Sequence, residues 1–244
     1  MTLAQTLTRL TPDNIIEVNF RPEPQPERRS TSLYTSDGRP KATAAEPIRK
    51  LADIKAMQNY YRDHNQTRNY TLFTLGIMFG LRAGDLLSLR WHHFYNADGS
   101  FKSHCDVIES KTRKTNNPAI TDEARTLISA YRETLPDGVT MDDPVFISNK
   151  RDENRHYRPI TISALNRTLK EAARAVGIQS HISSHSLRKT FAYQLLKANP
   201  DNDEVKFALQ KMLNHNDFKT TLIYCGMAQD ALDKYRASLG EVIL

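Results

Sequence analysis

Gly80-Leu81-Arg82-Ala83-Gly84-Asp85-Leu86-Leu87-Ser88-Leu89-Arg90-Trp91 is the stretch from which the fold is read. It follows residues 70–79, which are apolar nearly all round, as in a buried helix, so Gly80 falls where that helix closes. Residues 83–91 then offer a short helix. Arg82 is thereby placed on the turn between two helices, with Asp85 three positions further on. Taken alone, Arg82 is an ordinary surface or salt-bridged arginine, and its meaning depends on the rest of the chain.

Working outward, Leu51, Ile54, Met57 and Tyr61 recur at helical spacing from Pro47 onward. Before that, Arg21-Pro22-Glu23-Pro24-Gln25-Pro26 is punctuated by proline and 27–45 is polar without periodicity, so residues 1–46 are expected to form a flexible N-terminal arm. In the other direction, 105–110 and 118–120 read as two short strands joined by the polar segment 111–117, a hairpin with Lys111 near its tip. Helices are expected over 122–135, closed by Pro136-Asp137-Gly138, and over 163–176, closed by Gly177. Another begins with Ser184 as cap, carries Leu187, Phe191 and Leu195 as a stripe, and stops at Asn199-Pro200. Shorter helices follow over 203–213 and 219–224. The expected class is mainly α with a small antiparallel β-sheet (α+β).

The chain has 244 residues, 39% of them hydrophobic, which suits one substantial core. A formal net charge of +6 favours an anionic partner. Cys105 and Cys225 are too few and unpatterned for a disulfide framework or a cysteine zinc site, so a reducing, cytoplasmic interior is expected. No apolar run reaches the roughly 18–20 residues that span a bilayer, and residues 1–10 lack a signal-peptide core, so no membrane partner is expected. Motifs for nucleotide triphosphate and metal, G-x-x-x-x-G-K-[ST], H-E-x-x-H and paired C-x-x-C, are missing from the sequence; neither cofactor nor metal is expected. The adjacent pair His92 and His93 reads as surface polar residues whose side chains point apart.

The residues with chemical potential are individually common. With 8 histidines and 34 Lys+Arg, one His-x-x-basic pattern is expected by composition alone, so His185-Ser186-Leu187-Arg188 proves nothing by itself. Tyr224 is one of 10 tyrosines. Order and spacing change this. A glycine-led turn presents Arg82 and Asp85; Lys111 follows on a hairpin in Glu109-Ser110-Lys111-Thr112-Arg113-Lys114; His185 and Arg188 sit three apart on a helix; and His215 precedes Tyr224 by nine positions. This set resembles the signature of the tyrosine recombinases, the phage-integrase family, filling six family positions in order over 47–240.

The resemblance implies a DNA breaking and rejoining enzyme, a site-specific recombinase or integrase of a mobile genetic element, acting through a covalent 3′-phosphotyrosine. Tyr224 would be the nucleophile. At a pKa near 10 a free tyrosine is only about 0.1% phenolate at pH 7, so it needs a proton acceptor, for which His185 is placed, and a positive field. Arg82 and Arg188 offer planar forks that match the non-bridging oxygens of a phosphate. By resemblance, Lys111 is the general acid for the departing 5′ oxygen, with Lys114 as rival; His215 hydrogen-bonds the scissile phosphate, and Asp85 holds Arg82 by an ion pair. Arg113, Lys114, Lys150, Arg151, Arg155 and Arg158 are candidate DNA contacts. Residues 150–174 carry seven Lys/Arg against three acids, as a phosphate-following stretch or an ordinary solvated helix face.

Two departures stand out. The family usually has glycine where Asn214 stands, and asparagine tolerates the left-handed turn this implies. Residues 1–46 are too short for the helical core-binding domain that most of the family carries ahead of the catalytic domain, so the chain is expected to be either the minimal, catalytic-domain-only type over 47–244 or a fragment. Implied partners are double-stranded DNA, further copies of the chain (a tetramer in the synapse, docked through the stripe of Met227, Ala231, Leu232 and Tyr235 at about 227–240), and an accessory DNA-bending or directionality protein. A nucleoid-associated location follows from DNA binding. The alternatives are a type IB topoisomerase, which usually has lysine where His185 stands, and a catalytically silent DNA-binding regulator.

Overall fold

The computed structural model describes residues 10–11, 14–15, 45–214, 218–227 and 236. The chain divides into two units, 1–42 and 43–244. In the first, β1 (Leu10–Thr11) and β2 (Asn14–Ile15) pair antiparallel. The expected arm and the expected helix at 227–240 lie almost wholly outside the described residues, as does His215.

The second unit is mostly helical. α1 (Leu51–Asp63) and α2 (Thr67–Phe79) pack together, and α2 ends where the sequence said it would, at Gly80 with φ +60°. A short α3 (Ala83–Leu87) follows, and the chain leaves helix four residues sooner than the reading of 83–91. There Arg90 bridges to Pro144 in a strand-like contact, and a 3-10 turn forms over Trp91–His93, burying Trp91. The rings of His92 and His93 stack at 4.4 Å rather than pointing apart.

The expected hairpin is present but tighter. β3 (Val107–Ile108) pairs with β4 (Thr115–Asn116), inside the segment read as loop, and His104 bridges Ala119 further down. After α4 (Asp122–Arg132), a second hairpin of β5 (Ile147–Arg151) and β6 (Tyr157–Pro159) takes in the first part of the basic stretch 150–174, read as phosphate-following or as a solvated helix face. α5 (Ile162–Ala175) is capped by Thr161 and closed by Gly177 at φ +77°. Then come α6 (Ser184–Ala198), α7 (Asp203–Met212) and α8 (Phe218–Cys225). Ser183, rather than Ser184, caps α6, exchanging bonds with Ser186, while the Ser184 amide donates to Asn166 at 2.7 Å.

The buried side chains form two clusters. The larger gathers α1 to α5, the β3–β4 hairpin and the residues flanking β5 and β6 around Trp91, Phe73, Phe94, Phe146, Tyr61 and Tyr131. The smaller joins α6, α7 and α8 through Ala192, Tyr193, Leu196, Leu209, Leu213 and Cys225. α6 belongs to both, with Leu187 in the first and Ala192 in the second. Among the described residues no helix is long and apolar enough to cross a membrane.

Candidate active site

The N-terminal half of α6 lies where the two clusters meet, and there Arg188 is buried, 3% exposed. A buried guanidinium must find acceptors. Arg188 Nη1 donates to the Gly80 carbonyl at 2.7 Å and Nη2 to the Leu213 carbonyl at 2.8 Å. The ends of α2 and α7 are thus drawn together by one side chain. Helix C-termini carry unpaired carbonyls and partial negative charge, so both suit a cation.

Close contact between α2 and α6 depends on glycine. A Cβ on Gly80 would stand 2.7 Å from Cγ of Phe191, and its positive φ disfavours any side chain. Two residues on, Arg82 takes extended backbone as the N-cap of α3. Its guanidinium forms an ion pair with Glu109, and with 22% of the side chain exposed it also reaches the surface.

Glu109, which the sequence reading quoted but gave no role, is the centre of this arrangement. Its carboxylate is fully buried. It accepts from Thr112 Oγ1 at 2.6 Å, Asn214 Nδ2 at 2.9 Å and Asn116 Nδ2 at 3.2 Å, and lies 3.7 Å from Arg188 Nη1. Burial alone would raise its pKa; the hydrogen bonds from Thr112, Asn116 and Arg82, with the Arg82 charge, hold it below the usual carboxylate value. A signal for it exists in the alternation Cys105, Val107, Glu109, all buried, while Asp106, Ile108 and Ser110 are exposed.

Asp85 is buried too, but its partner differs from the expected one. Its Oδ1 accepts the Ser110 amide at 2.9 Å, and the ion pair to Arg82 is taken by Glu109 instead. Three residues after Arg82 in a short helix, Asp85 turns toward the loop that leaves β3. Both acids therefore fasten β3–β4 beside the arginines. Lys111, Arg113 and Lys114 project from this hairpin and are exposed, Arg113 at φ +57°.

Tyr224 lies on α8, whose Thr221 and Cys225 are buried against α6 and α7. Burial raises its pKa above the ordinary tyrosine value, and the charges of Arg188 and Arg82, with a hydrogen bond from Arg188, offset only part of that rise. Both guanidinium groups therefore act on the phenol. Lys189, also unassigned from the sequence, places its ammonium 5.2 Å from the Tyr224 ring centroid, a cation–π contact. His185 is exposed in the first turn of α6, one turn from Arg188. Asn214 has φ +51°, the left-handed turn that the sequence reading allowed it.

Lys150, Arg151, Arg155 and Arg158 are exposed on the β5–β6 hairpin, where Arg151 stacks on Tyr157 at 3.8 Å. Among the described residues no hydrogen bond or ion pair joins them to the arginine pair. Arg167, Lys170 and Arg174, from the same basic stretch, instead line a groove of about 820 Å³ along α5. Among the described residues no three His, Cys, Asp or Glu side chains gather as a metal site would require.

Comparison with known proteins is consistent with this architecture. The model of the phage integrase family matches residues 48–230. The chain is 32% identical over 185 residues to the probable integrase/recombinase YoeC of Bacillus subtilis (strain 168), covering 76% of this chain and 91% of that protein. It is 28% identical to the tyrosine recombinase XerC of Rickettsia bellii (strain OSU 85-389), over 65% of this chain, and spans only 47% of that relative's length. Among solved structures, XerA recombinase superposes with a TM-score of 0.57 at 21% identity, over 80% of this chain and 66% of that one. XerH site-specific recombinase in its post-cleavage complex with a palindromic difH substrate gives 0.58 at 18% identity, over 82% and 54%. At those identities the likeness speaks for the fold. The chain belongs to the phage integrase family, and its fold is that of a tyrosine recombinase catalytic domain.

Proposed function

We propose that this chain is a site-specific DNA recombinase that cuts and rejoins DNA through a 3′-phosphotyrosine intermediate. The observation that carries the reading is geometric: Arg82 and Arg188 converge on the buried Glu109, and the helix bearing Tyr224 packs against α6, whose Arg188 hydrogen-bonds the phenol. The phenol oxygen attacks phosphorus, the bond to the 5′ oxygen breaks, and the tyrosine retains the 3′ phosphate. His185 accepts the phenol proton, and Lys111, or its neighbour Lys114, supplies one to the departing 5′ oxygen. Arg82 and Arg188 stabilise charge on the non-bridging oxygens, with a further hydrogen bond from His215. The phosphotyrosine bond conserves the energy of the broken linkage, so a 5′ hydroxyl from another strand reverses the step without nucleotide triphosphate.

The substrate is double-stranded DNA, gripped by the exposed cations of the two hairpins, Arg113, Lys114, Lys150, Arg151, Arg155 and Arg158. In this reading residues 47–244 are the catalytic domain, 1–46 an arm, and 227–240 a docking segment between copies in a tetrameric synapse. Support comes from XerH, solved bound to difH, and from lambda integrase, solved as a dimer on a core site with a TM-score of 0.54 at 16% identity. An accessory DNA-bending or directionality protein and a cytoplasmic, nucleoid-associated location complete the proposal.

Nicked suicide DNA tests it. The wild-type chain is expected to form a covalent adduct that Tyr224→Phe cannot. No adduct from either protein would point to a silent DNA-binding regulator, and an adduct accompanied by supercoil relaxation without strand exchange to a topoisomerase.

A further inference from the structure

Glu109 touches four of the segments that frame the arginine pair. From the hairpin it takes Thr112 and Asn116; from the turn after α2, Arg82; from α6, Arg188; from the turn after α7, Asn214. Asn116 also donates to the Met212 carbonyl at 3.1 Å, so the hairpin is tied twice to the end of α7, once through Asn116 and once through Glu109. The Asn214 side chain therefore adds something that a glycine at that left-handed position could not supply: a bond from the turn after α7 to Glu109, where the loop bearing Lys111 leaves β3. We propose that Glu109 is a positioning residue which, through Asn214, holds the Lys111 hairpin in register with Arg82 and Arg188. This rests on the proposed function, in which Lys111 protonates the leaving oxygen.

Asn214→Gly isolates the effect. At φ +51° glycine is the less strained residue, so the turn and the fold are retained and only the side-chain bond to Glu109 is lost. The assay is single-turnover cleavage of nicked DNA, with either oxygen or sulfur at the bridging 5′ position. When sulfur leaves, the P–S bond breaks to a thiolate, which is stable near neutral pH and needs no proton from Lys111. Lys111→Ala is the control: it should slow the oxygen substrate about 10²–10⁴-fold and regain most of the rate with sulfur. Asn214→Gly, which misplaces the acid rather than removing it, should slow the oxygen substrate about 10–10²-fold and recover with sulfur in the same way. Glu109→Gln keeps an acceptor for Asn214 but loses the charge facing Arg82, so it should slow both substrates.

Wild-type rates for Asn214→Gly on oxygen, or equal slowing on oxygen and sulfur, would overturn the coupling while leaving the recombinase reading intact. Wild-type rates for Glu109→Gln on both substrates would overturn its positioning role. If Lys111→Ala is not rescued by sulfur although the wild type forms its adduct, the acid assignment falls and the coupling falls with it.

Discussion

Replacing Gly80 by alanine tests the packing that brings Arg188 to the pocket. The new Cβ would sit 2.7 and 2.8 Å from two ring carbons of Phe191 and closer still to a third, on backbone at φ +60°. Left-handed backbone costs a non-glycine residue about 1–2 kcal/mol, and overpacking of this kind about 1–3 kcal/mol. Together these give roughly 2–5 kcal/mol, or about 4–20 °C in Tm for a unit of this size at about 2–4 °C per kcal/mol. The Gly80 carbonyl also fixes Arg188 Nη1 at 2.7 Å, so its displacement should slow adduct formation as well. Thermal melting of Gly80→Ala, and of Gly80→Ala with Phe191→Leu, separates the two costs, because the smaller partner relieves the overlap and leaves the backbone strain. The reasoning is refuted if Gly80→Ala melts within about 1 °C of wild type, or if Phe191→Leu recovers nothing.

Arg188→Lys keeps a charge but loses the fork that spans Gly80 and Leu213, leaving at least one buried carbonyl unpaired. Cleavage should fall about 10²–10³-fold, with stability lower by about 1–3 kcal/mol; single-turnover rates and urea unfolding check this. Alkaline stability should depend on Cys105, whose pKa burial raises from 9.0 to about 12. Tyr131 is likewise raised by burial to about 12, from 10.0. Groups raised in the folded state contribute fully below their unfolded pKa and lose that contribution as pH climbs toward the folded one. Stability should therefore decline above pH 9, first through Cys105 and then through Tyr131, at up to about 1.4 kcal/mol per pH unit for each group. Cys105→Ala should remove the early part of the decline in urea titrations at successive pH values, and equal slopes in both proteins would contradict the assignment.

Helix positions were legible because each has a local cause: Gly80 and Gly177 at left-handed ends, Asn199-Pro200 as a stop, stripes at helical period. The β5–β6 hairpin was not, since Ile147–Arg151 and Tyr157–Pro159 are largely exposed and carry no apolar alternation. Arg82, Arg188 and Tyr224 were legible as a set through spacing. Their wiring was not, because an arginine's partner is chosen in three dimensions. Asp85 was the nearer acid along the chain, yet Glu109, 27 positions from Arg82, makes the ion pair. Its inward direction follows from strand alternation, a weak cue in strands of two residues, where the apolar Ile108 faces outward, 68% exposed, and the acid faces inward.

The separate small cluster beneath α8 has a consequence of its own. Arg82, Glu109 and the hairpin are anchored in the large core, whereas the helix bearing the phenol rests on Ala192, Tyr193, Leu196, Leu209, Leu213 and Cys225. Among the described residues this cluster is much smaller than the main core, and a segment with less buried apolar contact opens at a lower free energy than global unfolding. On the mechanism proposed above, Tyr224 would then be withheld or delivered with α8 as a unit, and reaction timing would become an opening equilibrium, adjustable without altering a single charge around phosphorus.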